Sequence, residues 1–396
     1  MTDVVDVVNF NADASCLPAA AWLDMLSGGS GSPLCRWLGL YAERKRPVVL
    51  GFIGGAVADM AMLNPEAIAV VNDHPQVFEV VLRPFAHDIA LLRSTAGFAA
   101  NVALGERTLR REFRRVVDYF LPPEFMLSSA QVKQLRDAGA GGLFINAARF
   151  KDELQGRIPE LPYVLEGVLG SRLHCIPVAG ALTDAYLRSI HFYDAAPWND
   201  AVAGRAGIAF SWRDGESCFL VPDGIAREAA WLDGESADVR RRHLGDACRG
   251  LSFAEPDARA NSFRTYPPHS FSAWFKENRM LGFLGRLQQF EARLDEMSID
   301  ARVLWLQAIN SDILSAVEKD SPTVRLADRP GQGAGDRAFT IWRSERGFEG
   351  EDFLARLEGL VERGDTGFVD DAPRRPHIRK LKARLDYVRA LPAEGT

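Results

Sequence analysis

The sequence predicts an α/β fold, a Rossmann-like and mostly parallel sheet carrying a large mixed α+β insertion. Three observations predict it. Pro47-Val48-Val49-Leu50-Gly51-Phe52-Ile53 is a short, continuously apolar run stopped by Gly54-Gly55, as expected of a strand buried on both faces. A second apolar run, Ala67 to Val71, follows a helical stretch at Ala56 to Leu63 and is closed by Asn72-Asp73-His74-Pro75. A third, Val303 to Leu306, ends in the polar turn Gln307 to Asp312. The first two runs give strand, glycine turn, helix, strand, polar turn and helix within 50 residues, and right-handed crossovers place both strands in one parallel sheet.

In chain order, residues 1–46 read as a helical lead-in with a polar, small-residue character and a glycine- and serine-rich loop at Ser27 to Pro33. Residues 47–158 form the first part of the Rossmann-like domain. Asn64-Pro65 ends its first helix, because the residue before a proline avoids the helical region. A charged helical extension covers residues 107–137, and Leu143-Phe144-Ile145-Asn146 follows a glycine break. Residues 159–270 form the inserted mixed subdomain, with short apolar runs at Cys175 to Val178, Ile208 to Trp212 and Cys218 to Val221. Trp212 to Cys218 reads as a hairpin turning at Asp214-Gly215. Residues 271–396 return to the domain through an amphipathic helix over 271–297, the strand at Val303, a last strand at Ala338 to Trp342 and two C-terminal helices.

Composition bounds the function. The 396 residues are 47% apolar and 25% charged, which is ordinary for globular chains and excludes wholesale disorder. A net charge of -6 gives no global field for nucleic acid or an anionic membrane. Arg107, Arg110, Arg111, Arg114 and Arg115 make one local basic face, read as a solvated surface. Five scattered cysteines without a C-x-x-C pair, and no apolar stretch long enough to span a bilayer, point to free thiols and a cytoplasmic protein without a transmembrane segment. No histidine pair has metal-ligand spacing, and neither a G-x-S-x-G elbow nor a phosphate loop is present, which disfavours a metal site, a serine hydrolase and a P-loop ATPase.

Candidate binding residues follow from the expected sheet. Gly51, Gly54 and Gly55 lie where a first strand ends, so the backbone there can approach a ligand; the alternative is a tight strand-to-helix turn. Asn72 and Asp73 close the second strand, about 20 residues on, where nucleotide folds hold ribose hydroxyls; Asp73 can equally cap the next helix. Asn310, Ser311 and Asp312 would face the same crevice, or Asp312 would cap a helix. His191, with Tyr193 and Asp194, would line an acceptor pocket or simply lie at a helix end.

Three stretches carry a family resemblance. Val48 to Gly55, Ala69 to Gln76 and Leu306 to Leu314 resemble the glycine loop, second-strand ending and late polar turn of class I S-adenosylmethionine-dependent transferases. More narrowly, they resemble the diacylglycerol 3-amino-3-carboxypropyl transferases of betaine-lipid synthesis. The sequence departs from that pattern at Asn72, where the family has an acid, and in the first loop, which lacks alternating glycines. The resemblance implies S-adenosylmethionine over Gly51, Gly54 and Gly55, its ribose on Asn72 or Asp73, and its methionine part or the acceptor near Asn310 and Asp312. It implies transfer of an aminocarboxypropyl or methyl group to a small-molecule or lipid acceptor, with Asp312, His191 or His74 as the base if one is required. The alternatives are a sugar-nucleotide glycosyltransferase with two Rossmann-like halves, or a non-catalytic binding module on the same fold.

Overall fold

A computed structural model describes residues 1–11, 19–146, 161–205, 207–254, 278–311, 357–359, 361 and 384–392. Its strands are β1 (Thr2–Phe10), β2 (Val48–Phe52), β3 (Phe78–Leu82), β4 (Val116–Phe120), β5 (Gly142–Asn146), β6 (Tyr163–Glu166), β7 (Arg172–Val178), β8 (Ile208–Asp214) and β9 (Val239–Arg241). The helices between them are α1 (Ala19–Leu26), α2 (Pro33–Arg44), α3 (Gly54–Leu63), α4 (Pro65–Asp73), α5 (Thr95–Glu112), α6 (Ser129–Asp137), α7 (Gly180–Phe192), α8 (Ala196–Ala203), α9 (Glu216–Leu220), α10 (Gly224–Gly234) and α11 (Leu244–Arg249). Two more, α12 (Asn278–Glu291) and α13 (Ile299–Ala308), follow them.

The sheet is mostly parallel, as expected, but it is not Rossmann-like. Its strand order is β6-β7-β5-β4-β3-β2-β1-β8, with β9 also on β1, and only the β6–β7 pair is antiparallel. Starting at β1, the chain lays down β2, β3, β4, β5, β7 and β8 one after another and returns to β1. The two ends of that series meet: Ala179 N, just after β7, donates to Phe210 O of β8 at 2.9 Å. The result is a barrel of seven parallel strands. A Rossmann sheet stays open and reverses its strand order, and the reversal creates the cofactor crevice; here the order runs on without reversing.

Side-chain alternation confirms the closure. Val5 and Val7 of β1, Val49 of β2, Val81 of β3, Phe144 of β5, Ile176 and Val178 of β7 and Phe210 of β8 form one buried cluster, the barrel interior. The intervening residues Val4, Val8, Phe10, Val48, Leu50, Phe52 and Val80 pack outward against α2, α3, α4, α7 and α10. Leu244 and Ala247 of α11 join the interior cluster. In the first turn of α11, Gly245 N donates to the carboxylate of Glu79, an interior residue near the start of β3, at 3.2 Å. This segment therefore plugs the N-terminal end of the barrel.

Several expected elements are corrected. Residues 2–10, placed in a helical lead-in, are strand β1. Asp3 and Asp6 masked its apolar character. Ala67 to Val71 is not a strand but part of α4. Asn64-Pro65 starts this helix as well as ending the one before: Asn64 is the N-cap, its side chain accepting from Ala67 N at 3.3 Å, and Pro65 takes the first helical position. Val303 to Leu306 belongs to α13, a helix buried on nearly every side, so its run is as apolar as a buried strand. The hairpin at Asp214-Gly215 is absent, because β8 passes directly into α9. The helical stretch over 107–137 is broken by β4. Of the short apolar runs, Leu143 to Asn146, Cys175 to Val178 and Ile208 to Trp212 lie in strands, whereas Cys218 to Leu220 lie in α9. Ala338 to Trp342 lies outside the described residues.

Asn64 gives a first prediction. It is fully buried, and Nδ2 donates to Leu26 O at 3.0 Å and to Ser32 Oγ at 2.7 Å while Oδ1 caps α4. Asn64→Ala strips the cap and orphans these partners, so urea unfolding should show a loss of about 2–3 kcal/mol.

Candidate functional site

Ligands of parallel barrels bind at the carboxyl ends of the strands, because the loops that follow the strands converge there on a rigid rim. In this barrel that rim is polar at β1, β3 and β8. Asn9 of β1 is in register with Asp214 of β8 on one side and Gly51 of β2 on the other. Arg83 follows β3 directly and is 1% exposed. Its Nη1 donates to Asn9 Oδ1, and its Nη2 donates to Asn11 Oδ1 at 2.8 Å. The two amide nitrogens then converge on one carboxylate oxygen: Asn9 Nδ2 lies 3.1 Å and Asn11 Nδ2 3.2 Å from Asp214 Oδ1. Glu216, at the start of α9, accepts from the Asn11 backbone N–H.

A third acid comes from the loop after β4. Glu124 has φ 53° and Phe125 has φ 52°, two consecutive left-handed residues without a glycine. Such a backbone costs of order 1–3 kcal/mol per residue and persists only where the surrounding structure holds it, as it often does at functional sites. Phe125 packs edge-on against Trp212, which sits below Asp214 on the inner face of β8, with ring centroids 5.0 Å apart. The Glu124 side chain keeps 27% of its surface accessible, and Oε1 lies 3.9 Å from His87 Nδ1.

The electrostatics tie these groups together. Burial pulls the Arg83 guanidinium down to about 9, and the carboxylates of Glu216, Asp214 and Glu124 oppose that pull. Arg83 is therefore still a cation at neutral pH, and all three acids lie within its field. Burial, reinforced by Arg83, holds His87 well below the ordinary imidazole range, so it is neutral. His87 Nδ1 pairs with Ser311 Oγ at 2.8 Å, and Ser311 N donates to His87 O at 2.7 Å. These contacts tie the loop after β3 to the end of α13. The next residue, Asp88, pairs with Arg93 Nε at 3.2 Å, and Arg93 Nη1 with Glu291 of α12 at 3.1 Å.

Asp88 carries a pH prediction. Burial raises its pKa from 3.8 to about 7, against the pull of Arg93 and with a further push from Glu291. The folded protein thus prefers protonated Asp88. Its contribution to stability is full below about pH 4 and is lost as pH rises towards about 7. Asp88→Asn should flatten this slope and raise the melting temperature at pH 8, read by thermal unfolding across pH. A variant less stable than the parent at pH 8 would contradict this sign.

The residues expected from the sequence lie as follows. Gly51 is inside the barrel near the rim, but its role is steric: a Cβ there would lie 2.8 Å from Leu121 Cδ2 and 3.6 Å from Arg83 Cδ. Gly54 and Gly55 spend their backbone N–H groups on Pro84 O and Phe85 O, at 3.0 and 2.8 Å, so these are not free to cradle a cofactor. Asn72 and Asp73 end α4 on the opposite, N-terminal side of the sheet. There Asn72 bonds Glu112 O and Arg114 N, and Asp73 makes an exposed pair with Arg114. Asn310 is buried and bridges to Asp88. His191 is exposed in the last turn of α7, and His74 bonds Val70 O in the turn before β3. Asp312 lies outside the described residues. The structure does not gather Gly54, Gly55, Asn72, Asp73 and His191 into one site.

Asn9, Asn11, Arg83, Glu124, Asp214 and Glu216 were missed. The available signal was Asn9-Phe10-Asn11 at the end of an apolar run and Asp214-Gly215-Glu216 at the end of another. Gly215 is needed there because a Cβ would enter the Phe10 ring at 2.4 Å. Glu216 also lines a cavity of about 650 Å³ between α1, α2, α9 and α10, with Asp24, Arg36, Phe219 and Asp223. Among the described residues, no group of three or more His, Cys, Asp or Glu could hold a metal ion, and no helix is long and apolar enough to cross a membrane.

Comparison with solved structures places this barrel. The 4-alpha-glucanotransferase from Thermococcus litoralis superposes with a TM-score of 0.62 at 11% identity, covering 80% of this chain and 54% of that one. TK1436, a GH57 branching enzyme from Thermococcus kodakaraensis, gives 0.61 at 11% identity over 99% of this chain and 96% of that one. The alpha-amylase AmyC from Thermotoga maritima gives 0.57 at 7% identity over 98% and 97%. What the chain shares with them is the fold. It spans about half the length of the glucanotransferase. No protein-family model matches the sequence, and no curated protein matches it.

These findings overturn the resemblance to S-adenosylmethionine-dependent transferases, and with it S-adenosylmethionine as cofactor and aminocarboxypropyl or methyl transfer as the reaction. The similar structures are carbohydrate-active proteins, and the glycine turn that suggested a cofactor is packed against the loop after β3. Neither a sugar-nucleotide glycosyltransferase with two Rossmann-like halves nor a Rossmann-like scaffold fits a closed barrel.

Proposed function

We propose that the protein is a carbohydrate-active enzyme that cleaves or transfers glycosidic bonds, with Glu124 and Asp214 as its two working carboxylates. The observation that carries this reading is their common place at one rim of the barrel, where Phe125, next to Glu124, packs against Trp212, two residues before Asp214. Two acids from the ends of different barrel strands share the field of one buried arginine on the face where barrel enzymes bind their substrates. Breaking an acetal needs this pairing: one carboxyl group protonates the leaving oxygen, and the other supplies the nucleophile or activates water. Glu216 is the third acid, but it is 5% exposed and bonds the Asn11 backbone, which suits a supporting role. The barrel shared with a glucanotransferase, a branching enzyme and an amylase supports α-linked glucose polymers as the first substrate class to test.

The test is incubation of the protein with malto-oligosaccharides of defined length, followed by chromatography of the products. Shorter chains indicate hydrolysis, and a mixture of shorter and longer chains indicates transfer. Unchanged chain lengths for these and for a broader panel of glycans would count against the proposal.

A further inference from the structure

We infer that Arg83 is a positioning residue, one that reaches across β2 to fix the amide orientation of Asn9 and Asn11 and so aims both amide nitrogens at Asp214. The inference rests on the reading of Asp214 as a working carboxylate and adds how that carboxylate is held.

An asparagine side chain carries an acceptor and a donor end that are alike in shape, so its orientation is decided by its partners. Arginine offers donors only, and an ionised carboxylate offers acceptors only. Here the two stand on opposite sides of the same pair of amides. Both Oδ1 atoms, of Asn9 and of Asn11, face Arg83. Both Nδ2 atoms therefore face Asp214, and they meet on its Oδ1 at 3.1 and 3.2 Å. Asn9 Nδ2 also bonds Asn11 Oδ1 at 2.7 Å, which locks the two amides to each other. Reversing either amide would put its NH₂ against a guanidinium and its oxygen against a carboxylate, so the charged ends select one arrangement.

The strand order makes the relay depend on a missing side chain. Arg83 comes from the end of β3 and Asn9 lies on β1, with β2 between them. The β2 residue in register with Asn9 is Gly51. A Cβ at that position would come 3.6 Å from Arg83 Cδ and 2.8 Å from Leu121 Cδ2, so a larger side chain would occupy the path that Arg83 takes. The glycine noted in the sequence thus serves the site by leaving room rather than by binding a ligand.

Hydrogen bonds and a nearby cation both favour the ionised form of a carboxylate. Among the described residues, the charged groups that act on Arg83 beside Asp214 are Glu216 from α9 and Glu124 from the loop after β4, while His87 in the loop after β3 is neutral. Arg83 is the cation that Asp214, Glu216 and Glu124 all act on, so its removal should be felt at Asp214 as a rise in pKa.

The experiment is a carboxyl ¹³C NMR titration of the full chain, as parent, Arg83→Met, Arg83→Lys and Asn11→Ala, with the pH dependence of kcat measured on the active oligosaccharide. Asp214→Asn identifies the resonance. In Arg83→Met, the Asp214 titration should move up by about one pH unit or more, and the acidic limb of kcat should move with it. Its kcat should fall about tenfold or more with KM little changed. Arg83→Lys keeps the charge but loses the fork, and should recover part of the shift. If Arg83→Met fails to fold, Asn11→Ala decides, with a smaller shift in the same direction. An Asp214 titration unchanged in a folded Arg83→Met, or in Asn11→Ala where Arg83→Met does not fold, overturns the inference. The titration needs no activity: a shifted Asp214 in a protein inert towards all glycans would uphold the relay while the glycosidic reading falls.

Discussion

Under the proposed assignment, Glu124→Gln and Asp214→Asn should each lower glycosidic-bond cleavage by about 10³-fold or more, with the barrel intact. Both changes keep the size of the side chain and remove its ability to ionise or to give up a proton. The acetal carbon is then left without its nucleophile or its leaving group without its acid. Asp214→Asn also sets an NH₂ group or a neutral oxygen against the two amides that now converge on Oδ1. Glu216→Gln should cost less, because Glu216 bonds the backbone of Asn11 rather than presenting its carboxylate at the rim. Kinetics on the same oligosaccharide, with melting curves to show that each variant folds, provide the check. Azide added to Glu124→Ala and Asp214→Ala separates the roles by product stereochemistry in a retaining enzyme: in the nucleophile variant it gives a glycosyl azide of inverted anomeric configuration, and in the acid/base variant one of retained configuration. A Glu124→Gln variant with parental kcat would remove Glu124 from the mechanism.

Asp6→Ala should destabilise the fold by about 3–5 kcal/mol, the largest stability effect expected of a single substitution here. Asp6 is fully buried on the outer face of β1. It accepts from Arg241 Nη1 at 2.9 Å and Arg213 Nη2 at 3.3 Å, and from Ser211 Oγ at 2.7 Å. Arg213 also pairs with Glu228 at 2.9 Å, and Arg241 with Glu235 at 2.9 Å. The hydroxyls of Tyr41 and Tyr186 donate to Glu228, and the Tyr186 ring lies 4.2 Å from the Arg213 guanidinium carbon. With Arg46 at 3.5 Å from Glu235, three acids balance three arginines. Deleting Asp6 leaves two buried guanidinium groups, those of Arg213 and Arg241, under-compensated. The network also titrates. Burial works against Asp6 ionisation, but Arg213 and Arg241 outweigh it and hold the carboxyl at about 2 instead of 3.8. Folding therefore gains from Asp6 above about pH 4 and loses that gain as pH falls towards about 2. Urea unfolding of Asp6→Ala at neutral pH reads the first effect, and acid unfolding of the parent against the variant reads the second. A variant within about 1 kcal/mol of the parent would mean that the cluster relaxes around the lost charge.

The sequence made part of this fold legible. The runs at residues 48–52, 142–146, 175–178 and 208–212 are apolar on both sides because the barrel buries one face and the helical layer the other. β1 obeys the same logic but hides it, since Asp6 stands at an outward position that only Arg213 and Arg241, more than 200 residues later, make tolerable. Ala67 to Val71 and Val303 to Leu306 are short apolar runs whose periodicity cannot separate strand from buried helix. In the first case the decisive fact was the Asn64 cap, readable only once its partners in the α1–α2 loop are known. Closure was not legible at all, because strands of an open parallel sheet and of a barrel have the same composition. The bond from Ala179 to Phe210 is what distinguishes them.

The site was less legible than the fold for the same reason. Asn9, Arg83, Glu124 and Asp214 come from four separate strand ends, and no spacing in the chain links them. Gly51 was noticed for the right property, the absence of a side chain, but assigned to a ligand instead of to the path of Arg83. Glu124 sits in Pro122-Pro123-Glu124-Phe125, which shows nothing unusual until its left-handed backbone is seen.

The most direct test of a sugar site on this barrel is a crystal structure of Glu124→Gln soaked with the malto-oligosaccharide that the parent protein converts, or with maltotriose if none is found. Sugar density over Arg83, with a glycosidic oxygen within hydrogen-bond reach of residue 124 or Asp214, is the predicted result. Sugar bound only elsewhere on the surface, with the rim around Arg83 empty, would contradict the assignment of these carboxylates to glycosidic chemistry.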